Sequence, residues 1–150
     1  MYCGSITLRI NGEKLDLENI SKQLNMEPRY ACHSGSKYYD KYEKSEKLYS
    51  EDIWLFSMDM TDDESIDCAI NKFVDLFIRF SDFLAQQESV TIWISLYPET
   101  EQFNIHVSKC SISKLCKLGI DFDIEIAHLQ TIYDGTYERM IDKKNEWPGG

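Results

Sequence analysis

Apolar and polar residues alternate in several short stretches of this chain, which is the pattern of half-buried β-strands. The first stretch ends at Asn11 and Gly12, a pair typical of tight turns, and the second is apolar and aromatic nearly throughout. The last stretch places Phe122, Ile124 and Ile126 on one face of a strand. Together these patterns predict strands over residues 6–10, 53–58, 90–97, 103–107 and 120–127.

Helical spacing of apolar residues predicts three helices, each marked by a capping residue. Asp16 is the predicted N-cap of the first helix. Residues 61–64 have the sequence of a capping box and open the longest helix. Ser111 is the predicted start of a short third helix, which Gly119 ends. Residues 27–52 are polar and rich in tyrosine and lysine, so we expect a long loop there.

The resulting order of elements is β-α-β-α-β-β-α-β. Because one face of each predicted strand is apolar, we expect an α+β fold: a mixed β-sheet with helices packed on one face, a sandwich of ferredoxin-like character. With 150 residues, the chain has the length of one ordinary domain. We expect this domain to span residues 1–134, followed by a polar, loosely held tail over residues 135–150.

The balance of charge is strongly acidic, with a formal net charge of -10. Nucleic-acid binding requires clustered lysine and arginine, so this balance argues against it. The longest apolar stretch is interrupted by charged residues, and the first residues lack the features of a signal peptide. Five scattered cysteines fit reduced thiols better than a disulfide framework. We therefore expect a cytoplasmic protein with no membrane partner.

The predicted topology gathers many acids at one place. A strand–helix–strand unit normally makes its two strands parallel, so the first three predicted strands would all end at one edge of the sheet. The turn at residues 11–16 would lie there too, while the lysine-rich loop would lie at the opposite end. Interfaces favour large aromatic residues beside charge. The candidate surface for a basic protein partner comprises Asp59, Asp62, Asp63, Glu64, Asp67, Trp93, Tyr97, Glu99, Glu101 and Asp121. On the outer sheet face we expect Trp54, Phe56, Trp93 and Tyr97.

The same acids have a second explanation. A carboxylate at a helix N-terminus satisfies free backbone N–H groups and interacts favourably with the helix dipole, by about 0.3–1 kcal/mol. This explanation covers Asp16 and the acids that open the longest helix. It covers Glu99, Glu101 and Asp121 less well, because they start no helix. The sequence therefore leaves two explanations for these acids: a docking surface for a partner, or helix capping together with solubility.

No sequence pattern marks a catalytic or metal site. The phosphate-binding loop, the dinucleotide-binding glycine motif and the nucleophile-elbow motif are all absent. A Cys110–His106 pair could assemble in space, although nothing in the sequence marks it. The acids of residues 121–125 alternate along one strand and could bind a divalent cation, but any half-exposed strand produces the same pattern. We therefore expect no enzyme activity, no metal and no cofactor.

Three segments resemble a known family. Residues 8–12 with the following cap and helix at residues 15–28 form the first, residues 54–57 the second, and residues 118–124 the third. In this order they resemble a bacterial family called domain of unknown function 4279, over residues 6–127. The family has no established catalytic residues, so the resemblance implies none here. Two parts of the chain depart from the family: the long tyrosine- and lysine-rich insert at residues 27–52, and the acidic turn with Glu99 and Glu101 between the strands predicted at residues 90–97 and 103–107. Specificity would lie in these two parts.

By size and charge the chain is also similar to immunity proteins of contact-dependent inhibition and other bacterial toxin systems. Those proteins bind a toxin domain in the cytoplasm and block it. We therefore expect an immunity-type domain that masks the active site of a cognate toxin through its acidic surface. The alternative is a non-enzymatic regulatory or scaffolding module that binds a small molecule or another protein on the open sheet face. An apolar pocket with converging polar groups would favour that alternative. The sequence predicts no oligomeric state.

Overall fold

The computed structural model describes residues 4–40, 43–61, 63–99 and 104–127. These residues form an α+β fold of seven strands and four α-helices. The strands are β1 (Gly4–Gly12), β2 (Tyr30–Cys32), β3 (Lys37–Asp40), β4 (Ser45–Leu48), β5 (Asp52–Met60), β6 (Ser89–Leu96) and β7 (Phe122–Ile126). The helices are α1 (Leu17–Leu24), α2 (Ile66–Phe77), α3 (Ser81–Ala85) and α4 (Lys109–Leu118), and a 3-10 turn (Ile78–Phe80) joins α2 to α3.

Five of the strands form one mixed sheet, in the order β2-β5-β1-β6-β7. β1 lies in the middle and pairs antiparallel with both β5 and β6, while β7 pairs parallel with β6. β3 and β4 form a separate two-stranded hairpin. The predicted α+β class with a mixed sheet and helices on one face is confirmed. The predicted tail over residues 135–150 lies outside the described residues.

The main core lies between the helices and one face of the sheet. From β1, the even-numbered apolar residues enter this core, because successive side chains of a strand point to opposite faces. β6 contributes its even-numbered residues in the same way, as the alternation predicts. The helices bury one apolar stripe each against this face: Ile20 and Leu24 of α1, Phe73 and Phe77 of α2, and Leu115 and Leu118 of α4.

The β3–β4 hairpin covers part of the opposite face of the sheet. Tyr49 packs there against Ile53 and Leu55 of β5, and the ring of Tyr38 lies 4.6 Å from that of Tyr49. The prediction of one long loop over residues 27–52 is therefore wrong, because β2, β3 and β4 lie in this segment. The tyrosines supply the apolar surface that a hairpin needs to pack onto a sheet.

Two aromatic residues of β5 lie on the face opposite to the predicted one. Trp54 pairs with Ile10 and Phe56 with Leu8, so both belong to the helix-covered core. Trp54 is completely buried, and its indole N–H donates a 3.0 Å hydrogen bond to the Ser21 hydroxyl of α1. Both faces of this strand are covered, one by helices and the other by the hairpin. Apolar and polar residues therefore do not alternate over residues 53–58, and the sequence does not indicate which side chains face the helices.

The predicted common direction of the first three strands is also wrong. β1 runs antiparallel to β5 and β6, so its end at Gly12 is opposite to the ends of those two strands. The chain between β1 and β5 passes through α1, β2 and the hairpin rather than through a single helix. The rule for single-helix crossovers applies only where one helical connection joins the strands. It holds from β5 to β6 and from β6 to β7.

The predicted strand at residues 103–107 is absent from the part of it that the structure describes, residues 104–107. β6 already has β1 on one side and β7 on the other, so it has no free edge for a hairpin partner. The segment instead leads into α4, whose N-cap is Ser108 rather than the predicted Ser111. Within the described ranges, no helix is both long and apolar enough to cross a membrane.

Candidate binding site at one end of the sheet

The strands β5 and β6 end side by side, because Gly4 of β1 pairs with both Met60 and Leu96. The chain leaves β5 into α2, and residues 104–108 approach α2 on their way into α4. A groove of about 330 Å³ lies among these segments. Its apolar and aromatic lining consists of Met60, Ile66, Leu96, Tyr97, Pro98 and Ile105, and its polar lining of Glu64, Ser65, Asn104 and His106.

The 104–108 segment is tied to the start of α2 by one carboxylate. Asp67 accepts a 2.8 Å hydrogen bond from the backbone N–H of Ser108. Ser108 is the N-cap of α4, and its hydroxyl accepts a 3.1 Å hydrogen bond from the N–H of Ser111. The Ser108 N–H lowers the pKa of Asp67, with a further contribution from the Ser111 hydroxyl. Asp67 therefore positions one wall of the groove.

Glu64 is also held by contacts within the chain. It accepts a 3.3 Å hydrogen bond from the N–H of Thr61 and pairs with the ammonium group of Lys72. This pairing lowers the pKa of the carboxyl group. The predicted capping box at residues 61–64 does not open α2, because the N-cap of this helix is Ser65, whose hydroxyl accepts a hydrogen bond from the N–H of Cys68. Only 5% of the Glu64 side chain is exposed. Glu64 thus joins the turn before α2 to Lys72 of that helix and presents little surface to a partner.

The remaining predicted acids at this end differ in their surroundings. Asp59 lies on the outer sheet face, where its carboxylate pairs with Arg29 at 3.1 Å. Exposed pairs of this kind typically stabilise by less than about 1 kcal/mol. Asp63 and Glu99 are exposed and follow directly on groove-lining segments, one before Glu64 and the other after Pro98. These two acids give the end of the groove its exposed negative charge.

Two of the predicted surface residues do not lie at this end. Asp121 precedes β7, and its backbone carbonyl accepts a hydrogen bond from the Ile92 N–H, close to the start of β6. The prediction that it joins the acidic edge is therefore wrong, as is that for the turn at residues 11–16. Trp93 lies in mid-strand on the outer face, where the Arg9 guanidinium is 5.7 Å from its ring centre. Asp62 and Glu101 lie outside the described residues.

The opposite end of the sheet contains an acid that the sequence did not mark. Asp52, at the start of β5, accepts hydrogen bonds from the backbone N–H groups of Ser34 at 2.6 Å and Leu15 at 2.8 Å. These two donors lower the pKa of its carboxyl group. The imidazole of His33 lies 3.5 Å away. Asp52 therefore joins the loop after β1 to the loop before the hairpin and is structural.

The residues that sequence reasoning missed at the groove are mostly in the 104–106 segment. His106 lies within the predicted strand at residues 103–107, whereas in the structure it is an exposed groove residue beside Ile105, and Ile105 is 37% exposed. A serine three residues before Ser111 was the available signal, because it is an equally good N-cap and ends the strand pattern early.

Candidate chemistry elsewhere in the chain has little support in the geometry. In the described part of the chain, no group of three or more His, Cys, Asp or Glu side chains could hold a metal ion. The four described cysteines are free thiols: Cys32 is half-buried, and Cys68, Cys110 and Cys116 are exposed. The groove offers apolar contact, hydrogen-bonding groups and nearby negative charge. Such an arrangement is suited to binding.

The chain matches a known protein family. A family model described as domain of unknown function (DUF4279) matches residues 2–129, which include every strand and helix described above. No curated protein and no solved structure matches the chain. The three sequence segments that resemble this family lie in β1 with α1, in β5, and from the end of α4 into β7. The chain therefore belongs to the DUF4279 family.

Proposed function

We propose that the protein is a non-enzymatic binding domain, and that the groove at the ends of β5 and β6 receives part of a basic protein partner. The observation that carries this proposal is the apolar groove of about 330 Å³ bordered by the exposed acids Asp63 and Glu99. An apolar centre with charge at its rim is the usual anatomy of a protein interface.

The groove has the size for one or two partner side chains. Its volume is at the lower end of the range for ligand sites, about 300–1,000 Å³. Tyr97 offers a rigid aromatic wall, and tyrosine is among the residues that most often dominate binding energy. A partner side chain would enter the groove, and a lysine or arginine next to it in the partner would contact Glu99 or Asp63. The net charge of -10 would also speed association with a basic protein at low salt.

The specific form of this proposal is immunity: in the cytoplasm, the domain binds a cognate toxin domain and masks its active site. Its support is the acidic character of the chain and of the groove rim. The test is co-expression in a bacterium with the toxin encoded beside it. Growth in the presence of the domain, and its loss when Tyr97 is replaced by alanine, would support neutralisation through the groove. Unprotected growth arrest would contradict the immunity form.

Binding itself is tested by pull-down from native lysate at low and high salt, followed by titration of the captured protein. We expect Tyr97→Ala to weaken binding about 30-fold or more. Glu99→Lys should weaken it about two- to five-fold and reduce its salt dependence. Asp121→Lys is the matched control, since it makes the same charge change at the opposite end of the sheet. Equal effects of the two lysine variants would show that only net charge acts and would refute the groove as docking site.

A small-molecule ligand is the second candidate, and one observation favours it. Ser65, Asn104 and His106 bring hydrogen-bonding groups to an otherwise apolar groove, as small-ligand sites commonly do. Thermal shift against a set of metabolites would test this candidate. A small-molecule ligand should raise the unfolding temperature of the wild-type chain and of Glu99→Lys equally, but not that of Tyr97→Ala. This result would favour a small molecule over a basic protein as the ligand of the groove.

A further inference from the structure

The last strand of the sheet offers a second interaction surface, independent of the groove. In the described part of the structure, β7 pairs with β6 on one side only. Ile92 donates to the carbonyl of Asp121, and Ala127 donates to that of Leu96. The N–H and C=O of one strand residue point to the same side, and successive residues alternate. The backbone groups of the even-numbered residues Phe122, Ile124 and Ile126 therefore point to the open edge.

Several features that usually protect an edge strand are missing from β7. Natural edges are blunted by lysine, proline, bulges or a covering element. The five residues of β7 include no lysine, proline or glycine, and their register with β6 runs unbroken from Phe122 to Ile126. On the helix side of the sheet, Ile124 and Ile126 are 40% and 46% exposed. Among the residues that the structure describes, none pairs with this edge, and exposed apolar surface lies beside it.

The charges of β7 indicate which strand would fit. Asp123 and Glu125 lie on the outer face of the sheet, and Asp123 is exposed. In a two-fold antiparallel pairing of two copies centred on Ile124, Asp123 of each copy would face Glu125 of the other. Like charges placed opposite one another destabilise a strand pair. A second copy is therefore a poor occupant, whereas a strand with lysine or arginine on that face is complementary.

We propose that the open edge of β7 is a site for β-strand addition, occupied by an extended segment of a partner protein in which apolar and basic residues alternate. The apolar residues would pack beside Ile124 and Ile126, and a basic residue would meet the exposed Asp123. Main-chain hydrogen bonds would supply affinity, and the alternating side chains specificity. The proposal goes beyond the groove and uses none of its lining residues.

The first experiment uses the full chain and two blocked, fluorescein-labelled peptides of seven residues, one alternating lysine with valine and the other glutamate with valine. At low salt, fluorescence anisotropy should show that the lysine peptide binds at least about ten-fold more tightly than the glutamate peptide. Amide exchange followed by NMR should show that Ile124 and Ile126 become protected when the peptide binds. If both amides are already protected in the free chain, another part of the protein covers the edge and the proposal is wrong.

Two variants separate strand addition from general attraction to an acidic protein. Ile124→Pro removes an N–H that faces the open edge but no bond to β6, so peptide binding should fall at least about ten-fold in a folded chain. Asp123→Lys should weaken the lysine peptide about five-fold, while Glu18→Lys, the same charge change on α1, should not. If Ile124→Pro fails to fold, the comparison of these two lysine variants decides. Equal effects of the two, or no binding of the lysine peptide, would overturn the proposal.

Discussion

The carboxylate of Asp67 in the first turn of α2 accepts a 2.8 Å hydrogen bond from the backbone N–H of Ser108, the residue that caps α4. One acid thereby joins the starts of two helices that pack against each other. The contact also holds the 104–106 segment that forms one wall of the groove. An acid that the sequence suggested for partner docking is thus used inside the fold.

Replacing Asp67 by alanine should lower the unfolding temperature by a few degrees, because the Ser108 N–H loses its acceptor. Partner or ligand binding in the groove should weaken at the same time, since the wall would be less firmly placed. Differential scanning fluorimetry and titration of the captured partner measure the two effects. Asp75→Ala, at an exposed position of the same helix, is the control. Equal stability of both variants would show that the Asp67–Ser108 bond does not stabilise the fold.

Asp52 should make stability depend on pH in the acidic range. The Ser34 and Leu15 N–H groups lower the pKa of its carboxyl group in the folded chain. Its contribution is therefore fully present above the unfolded value, about 4, and is lost as the pH falls through the lower folded value. Asp52→Ala should cost about 2 kcal/mol at neutral pH. Urea unfolding between about pH 2 and 7 measures this.

The amide variant Asp52→Asn separates charge from hydrogen bonding. It keeps one oxygen acceptor, so it should be less destabilised than Asp52→Ala at neutral pH. It cannot titrate, so its stability should fall less than that of the wild type as the pH drops. If the free energy of unfolding of Asp52→Asn falls with pH as steeply as that of the wild type, another carboxyl group causes the loss of stability at acidic pH.

Ser21→Ala should destabilise the chain by about 1–2 kcal/mol, because it leaves the buried Trp54 indole N–H without its acceptor. In a Trp54→Phe background, where the donor is already gone, the same serine change should cost much less. The double-mutant cycle, measured by urea unfolding, isolates this hydrogen bond. Equal costs of the serine change in both backgrounds would show that the bond adds nothing.

The thiols should differ in reactivity. Cys32 is half-buried, and its burial raises the pKa of the thiol, so at pH 8 less of the reactive thiolate is present. Cys68, Cys110 and Cys116 are exposed and should react with iodoacetamide several-fold faster than Cys32. Peptide mapping by mass spectrometry after short labelling measures the rates. In denaturant the difference should disappear. Cys32 packs with Tyr30 against the cluster that contains Tyr49, and rapid labelling of Cys32 in the native chain would contradict this packing.

Signals that act over a few residues predicted their elements well. Asp16 caps α1, and Gly119 ends α4 with a φ of +68°, where glycine is favoured. The capping box was predicted four residues too early, because Ser65 rather than Thr61 is the N-cap of α2. The alternation in β1 and β6 also gave their buried faces correctly. In each case the cause is contained in neighbouring residues, so the sequence displays it directly.

Relationships between distant segments could not be read in the same way. The direction of β1 relative to β5 depends on the path of the intervening chain, and the faces of β5 depend on a hairpin that was predicted to be a loop. The groove brings together Met60, Leu96 and Ile105, which lie in three separate segments. For this reason two parts of the expected acidic edge, Asp121 and the turn after β1, lie at the other end of the sheet.

The central position of β1 also bears on synthesis. Among the strands of this sheet, β1 leaves the ribosome first, yet both of its neighbours come much later, since Gly4 pairs with Met60 and with Leu96. The middle of the sheet is therefore completed only after residue 96 has emerged, and nascent chains shorter than this carry an apolar strand without its partners. We expect such chains to depend on chaperones, and folding to be nearly all-or-none once β6 is available.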